Sequence, residues 1–175
     1  WRPPKDHDVF IRALLELPAN LRQACVVEWA GYGPDMDLIK KRCAIELSDV
    51  DVRFPGLLSK TALAHAMRQA HLFVLPTLAD NLPCVVLESL CCGTPVVSMS
   101  VNGVPELINE SNGILVPPSS PNALAQALAR CMGNDSLFDR AAIARAALTR
   151  YAPNAVGERI VQVYTKVLGQ PPRNG

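Results

Sequence analysis

The stretch His71 to Glu106, HLFVLPTLADNLPCVVLESLCCGTPVVSMSVNGVPE, decides the fold. Leu72 to Leu75 is a short, continuously apolar run stopped by Pro76, which reads as a buried parallel strand. A polar loop follows, Thr77 to Pro83, carrying Asp80 and Asn81. Pro83 suits the first turn of a helix, where a missing N–H costs nothing. From Cys84 the apolar spacing becomes helical, with Leu87, Leu90 and Cys91 on one face, and Gly93 ends the helix. Thr94 to Ser98 is a second short apolar strand. The unit is therefore strand, acidic loop, helix, glycine, strand, one crossover of a parallel sheet.

Sheets of this kind bind ligands at the carboxyl ends of their strands. A helix starting near Cys84 turns its unpaired N–H groups and positive dipole end toward that edge, which favours a phosphate. Asp80 precedes the helix, and Glu88 lies one turn inside it on the face of Cys84. A carboxylate there repels phosphate but accepts hydrogen bonds from the hydroxyls of a sugar. On spacing alone, Asp80 is equally a capping residue of the loop and Glu88 a solvated helix position.

The rest of the chain extends the same alternation. Asp6 or Asp8 caps a helix running to about Leu17, with Phe10, Ile11, Leu14 and Leu15 as its apolar face. Lys5, just ahead of it, is placed to meet an anion at the helix N-terminus. Ala24 to Ala30 reads as a strand, and Gly31-Tyr32-Gly33-Pro34 as a tight turn into a helix over Asp35 to Leu47. The third glycine of a dinucleotide fingerprint is absent, which argues against NAD. Val50 to Phe54 is a strand ended by Pro55-Gly56, and Ser59 caps a helix over Lys60 to Ala70. Beyond the central unit, Glu106 to Ile108 is a short helical piece and Ile114 to Val116 the last strand. The serines of Pro117 to Pro121 cap the first of three amphipathic helices, at 122–132, 135–150 and 154–168. The tail QPPRNG reads as disordered. Strands alternating with helices point to a doubly wound parallel sheet.

Composition bounds the function. The chain has 175 residues, about half apolar, and a net charge of +1, enough for one domain and too balanced for a nucleic-acid-binding field. No apolar run approaches the ~20 residues that span a bilayer, and no signal-peptide pattern is present. The six cysteines include no C-x-x-C pair, and with the scattered His7, His65 and His71 they do not fit a zinc site. They read as reduced thiols in the cytosol, and His65 and His71 as structural.

The central motif resembles the signature of the retaining glycosyltransferases of family 4, which have the two-domain GT-B fold. Its pieces here are Asp80, seven residues, Glu88, the run Cys91-Cys92-Gly93-Thr94-Pro95-Val96-Val97, and Gly103-Val104-Pro105-Glu106. The family usually carries Glu where this chain has Asp80. The Asp-Asn-Leu-Pro form is similar to that of bacterial transferases of surface-polysaccharide assembly. The resemblance runs from about Lys5 to Leu168 and implies a Rossmann-like domain, 1–168, that is the C-terminal half of a GT-B fold. In the family a strand ending in Gly-Arg precedes the residue matched by Lys5. The chain thus reads as beginning just after that first strand, with Arg2 too close to Lys5 to replace the missing cation, and as ending in a short tail, 169–175.

By the same resemblance, Glu88 holds the ribose hydroxyls, and Asp80, the candidate catalytic carboxylate, contacts the donor sugar. Lys5 and the backbone of Asn81, Leu82, Cys84 and Val85 hold the diphosphate. Gly31 lies beside the nucleotide, and the loop Gly56 to Ser59 contacts the base. The implied function is hexosyl transfer from a nucleoside-diphosphate sugar to a glycan or lipid-linked acceptor. The donor is a substrate, and neither cofactor nor metal is expected. The acceptor site belongs to an N-terminal domain outside this chain, and any peripheral membrane association to the full-length protein. Two other readings stand beside this one. A nucleotide-sugar epimerase shares the two-domain architecture but would want a catalytic acid or base and a His-containing site around the sugar. A degenerate, non-catalytic module would keep the fold without the donor.

Overall fold

The computed structural model describes residues 5–169. Its five strands are β1 (Val26–Ala30), β2 (Asp51–Gly56), β3 (Phe73–Leu75), β4 (Val96–Met99) and β5 (Gly113–Val116). All pair in parallel, in two groups: β1 with β2, and β3, β4 and β5 in that order. The place that the sequence reading leaves to a first strand is filled by no described residue. Eight α-helices accompany the strands: α1 (His7–Glu16), α2 (Ala19–Ala24), α3 (Met36–Glu46), α4 (Lys60–Gln69), α5 (Cys84–Cys91), α6 (Pro121–Met132), α7 (Arg140–Tyr151) and α8 (Pro153–Leu168).

Strand β4 shows why the sequence of this layer is so apolar. All four of its residues are buried. Val97 and Met99 face a core built with α1, α3 and α6, whereas Val96 faces a second core with α5 and α7. A strand covered on both faces has no solvent side to alternate toward. Its one polar residue, Ser98, donates its hydroxyl to the Leu75 carbonyl at 2.8 Å, which satisfies it within the sheet.

The helix ends follow local chemistry. Asp6, Ser59, Ser120 and Asp139 each accept a backbone N–H three residues on, at Val9, Ala62, Ala123 and Ala142. Gly93, after α5, has φ +74°, and a β-carbon there would lie 2.6 Å from the Arg140 carbonyl oxygen. Only glycine combines that conformation with so close an approach of α7. Arg140 donates to the Ala70 and Arg68 carbonyls at the end of α4, and also to the Thr94 hydroxyl. Thr94 in turn donates to the Met67 carbonyl. One guanidinium thus ties α7 to the C-terminus of α4, where a cation suits the helix dipole.

The structure corrects several boundaries. Helix α2 occupies residues to which the sequence reading gave no helix, Ala24 included, and β1 starts at Val26 instead of Ala24. Strand β2 continues through Pro55 to Gly56, a course open to proline because β2 is an edge strand of its pair. The short helical piece is a 3₁₀ turn, Val104–Glu106, which leaves Leu107 and Ile108 free to bury in the core. Helix α7 begins at Arg140, because the Asp139 cap sets its start. Gly169 closes α8, and the disorder expected for 170–175 lies outside the described residues. Although α8 is amphipathic in sequence, it buries no residue: Ile160, Val161, Val163, Tyr164, Val167 and Leu168 are all exposed.

Ile11 of α1 and Leu124 of α6 are fully buried where these helices meet. Ile11→Ala should lower unfolding free energy by about 2–5 kcal/mol. In the same denaturant titration, Ile160→Ser on exposed α8 should change it by no more than about 0.5 kcal/mol.

Candidate functional site

Within each group the strands are parallel, so the carboxyl ends of β3, β4 and β5 share one edge, where ligands of such sheets bind, and those of β1 and β2 share another. The N-terminus of α1 is fastened to the first of these edges. The Asp6 N–H donates to the Pro76 carbonyl at 2.7 Å, and Lys5 forms an antiparallel bridge with Thr77. Asp6 is itself buried, accepting from the Val9 N–H through Oδ1 and from the Ser119 hydroxyl, at 3.4 Å, through Oδ2. Three segments distant in sequence, at 5–9, 76–80 and 119, are thereby fixed to one another.

This fastening brings Lys5 Nζ to 2.7 Å from Asp80 Oδ2. The two residues that the sequence assigned to different parts of a ligand are partners of each other. Both side chains are partly exposed, at 36% and 22%, so the pair adds only about 0.2–1 kcal/mol to stability. It keeps a cation and a carboxylate together at the mouth of the edge. Asn81 and Leu82 are exposed, and Pro83 caps α5 without any side-chain hydrogen bond, so the first turn of α5 is uncapped. Cys84 is exposed there and Val85 is half-buried. Glu88 lies one turn inside α5, exposed, and its carboxylate has no ion-pair partner among the described residues.

Gly31 lies apart from this cluster, directly after β1. It has φ +129° and donates its N–H to the Gly56 carbonyl at 2.9 Å. Both glycines border a cleft of about 210 Å³ after β1 and β2, lined also by Tyr32, Pro34, Lys40 and Phe54. Lys40 sits 5.9 Å above the Phe54 ring, and Tyr32 is 85% exposed at the rim. Neither Lys5, Asp80 nor Glu88 lines this cleft, so the expected residues fall into two separate clusters. Ser59 is occupied as the cap of α4, and of the expected base loop only Gly56 lines the cleft.

His7 was not singled out by the sequence reading. Its ring lies 5.3 Å from Trp29, and its buried Nδ1 has no hydrogen-bond partner. Burial holds the imidazole below its ordinary pKa, against the pull of Asp35 and Asp6. Its position directly after Lys5-Asp6 was the available signal. His65 and His71 are exposed, and all six cysteines are free. Burial pushes the thiols of Cys25, Cys43 and Cys91 upward and that of Cys131 to about 11, which keeps these four protonated. Among the described residues no group of three or more His, Cys, Asp or Glu is placed to hold a metal ion, and no helix is long and apolar enough to cross a membrane. Arg2 lies outside the described residues.

The fold is the α/β fold of GT-B glycosyltransferases. The structure superposes on HepE of Anabaena, solved with UDP and glucose, with a TM-score of 0.78 at 20% identity over 94% of this chain and 45% of that one. A Rickettsia africae glycosyltransferase gives 0.80 at 16% identity over 97% and 46%. In sequence, the D-inositol 3-phosphate glycosyltransferase of Streptomyces griseus is 31% identical over 95% of this chain and 38% of its own length. The α-D-kanosaminyltransferase of Streptomyces kanamyceticus is 32% identical over 93% and 43%. The chain thus spans less than half the length of these relatives. Residues 1–134 match the glycosyl transferases group 1 model, and the chain belongs to that family.

A group whose folded pKa is depressed stabilises the fold above its unfolded pKa, and that stability is lost as pH falls. His7 is such a group, with an ordinary value of 6.5. The urea midpoint should therefore drop as pH is lowered through and below that value. His7→Gln should make the dependence shallower.

Proposed function

We propose that the chain is the nucleotide-sugar-binding, C-terminal domain of a retaining family 4 glycosyltransferase. The observation that carries this reading is the Lys5–Asp80 pair beside the uncapped start of α5. A diphosphate fits beside Lys5 at the N-terminus of α5, where an ammonium and backbone N–H groups offer donors together. The backbone of Asn81 to Val85 supplies those N–H groups. The unpaired carboxylate of Glu88, farther along α5, accepts the ribose hydroxyls. Asp80 keeps one oxygen on Lys5 and turns the other toward the hydroxyls of the donor sugar. The cleft beside Gly31 and Gly56 takes the base. HepE of Anabaena, with which the fold is shared, was solved with UDP and with UDP-glucose, which supports UDP as the first donor nucleotide to try.

Transfer breaks the bond between the sugar and the diphosphate, and negative charge grows on the leaving oxygen. Lys5 and the helix terminus oppose that charge in place, so the side chains stabilise a leaving group and need not act as nucleophiles. This scheme uses no metal. The acceptor, a glycan or lipid-linked sugar, is met by an N-terminal domain of the full-length protein in the cytoplasm. The chain alone should bind donor and show no transfer in an assay with radiolabelled nucleotide sugar.

Calorimetric titration of UDP, GDP, ADP and CMP should yield one preferred diphosphate, whose binding Glu88→Ala abolishes. Equal, negligible heats for all four would overturn the donor reading. Asp80→Asn should move two ligands in opposite directions. With Lys5 released and a repulsive charge removed, the free diphosphate should bind more tightly, whereas its sugar conjugate should lose affinity relative to the diphosphate.

A further inference from the structure

We propose that Gly103 is a positioning residue of this site, the point at which the loop after β4 holds the loop of Asp80 and Asn81 in place. The inference rests on the donor reading above only for the ligand it names. A β-carbon at Gly103 would lie 1.7 Å from the Asn81 carbonyl oxygen and 2.9 Å from its carbonyl carbon. The φ of Gly103 is −87°, open to any residue, so the demand for glycine is one of space alone.

The contact is between two backbones, so no rotamer change can relieve it. Gly103 cannot retreat. Its carbonyl accepts the Glu106 N–H at 3.1 Å, the Val104 N–H donates to Val101 at 3.0 Å, and Val104 is fully buried against the core that holds Val86 and Leu90 of α5. The same core thus sets the height of both the turn at 103 and helix α5. Asn81 stands between Asp80, held by Lys5, and the first turn of α5. An added methyl group at 103 must push the Asn81 peptide outward. That moves Asp80 relative to Lys5 and tips the donors ahead of α5, without touching either ion-pairing side chain.

The test compares Gly103→Ala with Gly113→Ala. Gly113 opens β5 at the amino end of the sheet, where a β-carbon would lie 2.1 Å from the Val96 carbonyl oxygen. It strains the same layer away from the site. Hydrogen exchange without ligand should accelerate at amides 80–86 in Gly103→Ala and stay unchanged there in Gly113→Ala. With UDP, Gly103→Ala should bind about tenfold more weakly, the scale of one lost charge-assisted contact, whereas Gly113→Ala should keep the parent affinity. Should Gly103→Ala not fold, Val104→Ala loosens the same anchor without adding an atom, and exchange at 80–86 should again rise. Unchanged exchange at 80–86, or an equal loss of affinity in both glycine variants, overturns the proposal. A parent chain that binds no diphosphate defeats the donor reading alone, because the exchange comparison still decides the role of Gly103.

Discussion

The hydrogen bond from the Asp6 N–H to the Pro76 carbonyl, with the neighbouring bridge of Lys5 to Thr77, is the constraint on which the site depends. It is made between backbones, so it fixes where the chain enters α1 whatever the side chains do. Once it is in place, the side chain of Lys5 meets Asp80, and Asp6 is carried inward to meet Ser119. Burying a carboxylate such as Asp6 is costly unless it is hydrogen-bonded, and here two donors meet it. The start of one helix, the exit of one strand and a distant loop are therefore mutually determined.

The signature residues divide between two tasks that sequence alone presents as one motif. Asp80 pairs with Lys5, and Glu88 is exposed on α5. Gly93 and Thr94 are buried, where they admit α7 and anchor Arg140. Ser89, one residue after Glu88, is buried and donates to the Thr94 carbonyl at 3.1 Å. The run from Asp80 to Thr94 is thus held at its far end by packing, so that its near end can remain exposed and polar.

Much of this was legible in the sequence. The apolar runs at Leu72 to Leu75 and Thr94 to Ser98, with helical spacing between them, suffice for β3, α5 and β4, because burial on both faces leaves a continuous hydrophobic trace. The caps Asp6, Ser59 and Ser120 were readable because capping is local chemistry. Helix α2 was not, since ANLRQA buries no residue and leaves no periodic trace. The pairing of Lys5 with Asp80 spans 75 positions and follows from a backbone bridge that no local pattern records. His7 was passed over for the same reason, its environment being made by Trp29 of β1. The glycine at 103 was visible as part of a motif, but its reason, the carbonyl of Asn81, was not.

The passage of β2 through Pro55 has a consequence for assembly. An edge strand offers unpaired backbone groups to any other strand that arrives. On β2, Pro55 has no N–H to give, Gly56 turns away with φ +73°, and Arg53 and Asp51 hold charge along the rim. The partner strand β1 has no proline, carries the single charge of Glu28, and leaves Val26 56% exposed. The edge beyond β2 therefore resists the addition of another strand, as a zipper is held by its stop.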